Sequence, residues 1–236
     1  MPNAVATAPT PIAPAPPRLR LGKLCVAIQG ASPAELMDRA ESACKDFKFL
    51  ELRLDSLSRP ASALPYIKQF LAEHKDITLI ATCRRKAHGG LFDGPLAAEL
   101  EILTKAAECG CQIIDLEVES AEEAKSAQIA KLRSAGAALL VSFHDFTRTK
   151  GLDQAVDRIE AFKPDFVKVV STARSLADNL PVLRLIEDRS LHSQVVGIAM
   201  GEEGLVSRVL GPRAGAAFTF ASWSTETETA PGQVTA

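Results

Sequence analysis

In Phe49-Leu50-Glu51-Leu52-Arg53-Leu54-Asp55, leucine alternates with charge from Leu50 onward. Side chains along a β-strand point to opposite faces with a period of two, so one face of this stretch is aliphatic and the other carries Glu51, Arg53 and Asp55. Apolar, strand-like runs recur at 24–28, 78–82, 112–117, 138–143, 166–170, 195–199 and 216–220. Amphipathic segments such as 33–46, 61–74, 95–109, 120–134 and 175–188 lie between them. Eight strands alternating with helices indicate a parallel sheet, and eight is the number that closes a (β/α)8 TIM barrel. A closed barrel has no solvated edge, so the leucines take the helix-covered outside and the charges line the interior near the C-terminal mouth. The alternative is a doubly wound open sheet. It is weakened because Gln29-Gly30-Ala31, and no Gly-x-Gly-x-x-Gly turn, follows the first strand.

The same parity pairs Thr82 with Arg84 at the end of the third strand and Asp115 with Glu117 on the fourth. It pairs Ser142 with His144 on the fifth and sets Phe166, Lys168 and Val170 on one face of the sixth. Each has a bland reading alone: an exposed lysine, a helix cap, a solvated loop. Five consecutive strands delivering polar groups to one end point to a pocket at the face where barrel enzymes work. Two loops extend it. His88-Gly89-Gly90 offers a turn able to approach a ligand, and Met200-Gly201-Glu202-Glu203-Gly204-Leu205-Val206-Ser207-Arg208 enters a short helix carrying an arginine suited to a carboxylate.

Composition bounds the rest. With 236 residues, 47% of them hydrophobic, the chain can bury a large core. Its net charge of −2 argues against nucleic acid or an anionic membrane as main partner, and no apolar run reaches the ~20 residues that span a bilayer. Residues 1–20 are rich in Pro and Ala and read as a disordered tail, leaving 21–236 as one catalytic domain. Five cysteines, odd in number and set in or beside apolar segments, fit reduced thiols in a cytoplasmic protein. Cys109-Gly110-Cys111 is too short for a zinc site, and no metal is expected.

Lys168 lies in Phe166-Val167-Lys168-Val169-Val170, where an ammonium kept from water can lose its proton and attack a carbonyl. One strand earlier, Val141-Ser142-Phe143-His144 ends in a group that exchanges protons near neutral pH. Together they suggest carbon-acid chemistry.

These residues resemble the type I 3-dehydroquinate dehydratase family, the Schiff-base lyases of the shikimate pathway. The matching pieces are Glu51-Leu-Arg53-Leu-Asp55, Thr82-Cys-Arg84 with Gly89-Gly90, Asp115-Leu-Glu117, Ser142-Phe-His144-Asp-Phe146, Val167-Lys168-Val169, Met200-Gly-x-x-Gly204-x-x-Ser207-Arg208 and Pro231-Gly232-Gln233. The resemblance implies that Lys168 forms an imine with the ketone of 3-dehydroquinate and that His144 is the general acid and base. It also implies that Glu51, Arg53 and Arg84 hold ring hydroxyls, that Arg208 and Gln233 bind the carboxylate, and that Met200 and Thr229 belong to the substrate-binding set. No cofactor is implied, and pairing as a homodimer is.

Three departures stand out. His88 occupies a position, close to the catalytic histidine, where the family usually has glutamate, so Asp115 or Glu117 is expected to supply that carboxylate. Thr229 replaces a usual serine but keeps the hydroxyl. The last barrel helix is expected to be missing or truncated. Two other readings compete: an aldolase-like Schiff-base barrel, disfavoured by the lack of glycine-rich phosphate loops after both the seventh and eighth strands, and a catalytically weakened barrel acting as a binding protein.

Overall fold

The computed structural model describes residue 19 and residues 21–188, 191–224, 230 and 232–236. Its strands are β1 (Leu24–Ile28), β2 (Phe49–Arg53), β3 (Thr78–Thr82), β4 (Ile113–Glu117), β5 (Ala138–His144), β6 (Phe166–Thr172), β7 (Gln194–Met200) and β8 (Thr219–Ser222). They pair in parallel in the order β7-β6-β5-β4-β3-β2-β1-β8. Between β7 and β8 the Ala217 amide donates to the Val195 carbonyl at 2.8 Å, bringing the sheet close to full closure. The result is a (β/α)8 barrel.

The helices are α1 (Pro33–Ala43), α2 (Leu64–Glu73), α3 (Leu96–Glu108), α4 (Val118–Glu123), α5 (Ser126–Ser134), α6 (Leu152–Glu160), α7 (Asn179–Glu187) and α8 (Leu205–Ala214). The start of α1 is written locally. Ser32 Oγ accepts from the Glu35 amide, the Glu35 carboxylate accepts from the Ala31 amide at 2.8 Å, and Pro33 presets the first turn. Leu36, Met37, Ala40 and Ala43 then repeat at helical spacing and are buried against the sheet.

Three elements differ from the sequence reading. The segment 120–134 is two helices, because Ala124 and Lys125 adopt extended backbone between α4 and α5. The eighth strand begins three residues later than its apolar run, since Ala216 and Ala217 are used otherwise: their amides bond Gly211 O and Val195 O, the first ending α8 and the second sealing the barrel. Among the described residues no helix follows β8. Ser222 instead pairs with the C-terminal stretch, donating from its amide to Val234 O at 2.9 Å and accepting from the Ala236 amide at 3.0 Å.

Period two divides the barrel into layers. Cys25, Phe49, Ile80, Ile113, Ala138, Phe166, Val196 and Phe218 point inward and fill the lower interior. Leu19 and Leu21 pack against that cluster, so Leu19 belongs to the core although it lay inside the expected tail. Leu50, Leu52, Ile114, Leu116, Val167 and Val169 face outward into the layer beneath the helices. The apolar plug leaves the upper interior to the charged residues. No helix among the described residues is long and apolar enough to cross a membrane.

Phe218 has no exposed surface and meets Phe49, Phe166 and Phe220 edge-on. Phe218→Ala is expected to cost ~3–5 kcal/mol in urea unfolding, whereas Leu176→Ala, at a site 64% exposed, changes stability little. Equal effects from the two would contradict the interior layering.

Candidate active site

The C-terminal ends of the strands open into a pocket of ≈ 510 Å³, mouth included, within the usual range for small-molecule sites. Of the residues singled out in the sequence, Glu51, Arg53, Arg84, His144, Lys168, Met200, Arg208 and Gln233 line it. Asp115 and Glu117 lie buried beneath, bonded to those lining groups. Thr229 lies outside the described residues.

Strand register explains this convergence. Thr82 sits beside Asp115, Glu117 beside Ser142, and Ser142 beside Lys168, so the inward polar groups of β3 to β6 form one tier. Lys168 Nζ donates to Asp115 Oδ2 at 2.7 Å, lies 4.0 Å from Glu51 Oε1 and stands 4.3 Å over the ring of Phe220. Asp115 also accepts from Arg84 Nη2 at 3.0 Å and from Ser142 Oγ at 2.5 Å. Burial alone would raise the pKa of Asp115, but Lys168 and Arg84 outweigh it and hold the carboxyl well below the usual range. Thr82 Oγ1 donates to Glu51 at 2.6 Å, and Arg53 forks onto Asp55 through bonds of 2.9 and 2.7 Å. Each arginine therefore already holds a carboxylate.

His144 Nδ1 meets both oxygens of Glu117, at 3.0 and 2.9 Å. An ionised carboxylate only accepts, so Nδ1 carries the hydrogen and Nε2 is left to take a proton. Burial and the charge of Arg84 press the imidazole pKa below its ordinary value, and Glu117 opposes them without cancelling them. The ring is thus a neutral base at neutral pH.

The loop after β3 differs from expectation at one residue. His88 does not line the pocket and accepts from Arg85 Nη2 at 3.1 Å, while Glu117 provides the carboxylate on His144. Gly89 does line the pocket, and both glycines also allow close packing. A Cβ on Gly90 would come within 2.0 Å of Arg84 O, and one on Gly89, whose φ is +78°, within 2.2 Å of the Phe146 ring.

Phe146, part of the Ser142-Phe-His144-Asp-Phe146 motif, adds a contact that the motif alone does not imply. Its ring stacks on His144 at 5.9 Å and 17° and lines the mouth. Phe220 and Ile198 were missed as lining residues although the parity rule, carried on to β7 and β8, places both inward.

An amine, a neutral imidazole and buried arginines at the mouth of an eight-stranded barrel define an enzyme built for small-molecule acid–base chemistry. The family model for type I 3-dehydroquinase matches residues 24–236. A 3-dehydroquinate dehydratase of Dehalococcoides mccartyi is 34% identical over 218 residues, covering 90% of each chain. One of Coxiella burnetii is 26% identical over 219 residues, covering 92% of this chain and 90% of its own. The crystal structure of 3-dehydroquinate dehydratase from Geobacillus kaustophilus shares the fold, with a TM-score of 0.82 at 24% identity over 92% of this chain and 87% of that one. The chain belongs to the type I 3-dehydroquinase family and is a carbon–oxygen lyase.

By NMR, His144 is expected to titrate below the ~6.5 of an unperturbed imidazole. Arg84→Gln removes a repelling charge and should move that pKa upward. A wild-type value at or above 6.5 would refute the electrostatic assignment.

Proposed function

We propose that this enzyme removes water from 3-dehydroquinate to give 3-dehydroshikimate through an imine on Lys168, with His144 moving the protons. The observation that carries this is the pairing of Lys168 with Asp115 and of His144 with Glu117 in one pocket, in a chain of this family. Lys168 Nζ adds to the ring ketone, and loss of water leaves a protonated imine. That cation draws electrons from the adjacent carbon, so His144 Nε2 can take its proton and form an enamine. The enamine pair then expels the hydroxyl, which leaves as water with the proton returned from His144. Hydrolysis of the conjugated imine consumes one water and frees Lys168, so the net change is loss of one water.

In this reading Asp115 positions the Lys168 amine for attack while also holding Arg84. Arg208 and Gln233, both buried and both lining the pocket, take the substrate carboxylate, while Glu51, Arg53 and Arg84 meet ring hydroxyls. Phe146 shields His144 from solvent at the mouth.

Borohydride added with 3-dehydroquinate should fix a reduced adduct that peptide mapping assigns to Lys168 and that Lys168→Ala lacks. His144→Gln should still trap substrate while kcat, followed by enone absorbance, falls ~10²–10⁴-fold. Undiminished turnover by Lys168→Ala, or trapping at another lysine, would sink the imine mechanism.

A further inference from the structure

Helices of a barrel run back from the mouth, so α1 and α2 both end on the opposite face, next to the starts of β2 and β3. The C-cap of α1 is Cys44 and the C-cap of α2 is His74. Glu41 lies three residues before Cys44, on the same helical side. The two ends converge. His74 Nε2 lies 2.9 Å from Glu41 Oε2, His74 Nδ1 lies 3.9 Å from Cys44 Sγ, and Sγ lies 4.0 Å from Glu41 Oε2. One donor atom from each residue can be chosen so that all lie within 4.8 Å of one another.

We propose that Glu41, Cys44 and His74 form a zinc site on the face remote from the pocket. A tetrahedral ion with N, O and S ligands sets them about 3.3–3.6 Å apart, and Cys44 Sγ lies only slightly beyond that spacing from His74 Nδ1, at 3.9 Å, and from Glu41 Oε2, at 4.0 Å. The donor chemistry is selective: thiolate, imidazole and one carboxylate suit a borderline-soft ion such as zinc, and do not suit magnesium or calcium, which demand oxygen shells. His74 offers the ion Nδ1, the nitrogen facing the thiol. Glu41, whose side chain is 45% exposed, has room to swing one oxygen from Nε2 towards the ion and leaves a fourth position to water.

The surroundings favour a cation. Two helix C-termini meet here, and each presents the negative end of its dipole. Of the neighbouring cations, Lys48 donates to Cys44 O at 2.9 Å and pairs with Asp76 at 3.0 Å. His74 is steadied by packing on Phe70, with ring centroids 4.5 Å apart. Binding replaces the thiol hydrogen: Cys44–SH and Zn²⁺ give a Cys44–S–Zn bond, and the proton leaves to solvent. The bound ion clips the ends of α1 and α2 together and so stabilises the folded chain.

The test is cobalt titration of the purified, metal-free enzyme, followed by zinc competition. One equivalent of cobalt should produce thiolate-to-metal charge-transfer absorption, and zinc should abolish it. Losing a mere supporting partner of a metal site lowers affinity ~10–100-fold, so Cys44→Ser and His74→Gln should each weaken binding at least that much. Cys109→Ser, which alters the partly exposed cysteine, should not. Zinc should raise the Tm of the wild type and not that of His74→Gln, whose fold is checked by an unchanged dehydratase rate. Absence of the charge-transfer band, or a band that survives Cys44→Ser, would overturn the site and leave the trio as an ordinary helix-end ion pair.

Discussion

Three strands meet on one carboxylate: Asp115 of β4 accepts from Lys168 of β6, from Ser142 of β5 and from Arg84, just beyond the end of β3. Moving a charged side chain out of water costs several kcal/mol per ion unless a well-placed partner offsets it. Lys168 and Arg84 are both almost wholly buried, so Asp115 is what allows the barrel to keep two cations inside. The same arginine reaches Glu117 at 2.9 Å, and Glu117 holds His144. Orientation of the imidazole and placement of the amine therefore both trace back to one buried anion. Taken together, Lys168, Arg84, Arg53 and Arg208 supply four positive charges, and Asp115, Glu117, Glu51 and Asp55 supply four negative ones. A balanced set of this kind tolerates burial that no member would tolerate alone.

Those charges were legible in the sequence because strand periodicity is rigid. Once Leu50, Leu52 and Leu54 take the outer face, Glu51 and Arg53 have only the interior left. What periodicity cannot give is which inward groups pair across strands, since that depends on stagger. Thr82 beside Asp115 and Ser142 beside Lys168 are facts of register. Hence Glu117 was one of two candidate partners for His144, and the structure alone selects it. The loop after β3 shows a different failure. Position 88 was expected near His144, but a loop has no fixed period, and the His88 ring meets Arg85 instead. Phe146 escaped assignment for a related reason, because it stands two residues beyond the end of β5, where strand parity no longer applies.

The remote Glu41, Cys44 and His74 cluster shows the limit of spacing rules most sharply. Metal motifs are recognised when ligands are close in sequence, and Glu41 and His74 are separated by 33 positions on two helices. Only the barrel winding, which returns consecutive helices to neighbouring places, brings them together. Cys109-Gly110-Cys111, the pair that spacing does draw attention to, has one partly exposed thiol and one buried thiol.

The proposed chemistry asks His144 to act as base and then as acid in one turnover, which requires a proton affinity neither too high nor too low. Burial and Arg84 push that affinity down; Glu117 pushes it up. Removing Glu117 would leave Arg84 unopposed and the ring both weaker as a base and free to turn. Removing Arg84 would raise the proton affinity but leave Asp115 and Glu117 with one cation fewer in a dry site. The imidazole is thus set by two opposing neighbours that are themselves paired, and neither can change without disturbing Asp115. In the proposed mechanism this explains why a substrate bearing its own carboxylate needs a separate receptor such as Arg208. An extra anion placed within the Asp115 network would draw Arg84 away from Glu117 and strengthen proton binding at His144, just where the first step needs a neutral ring.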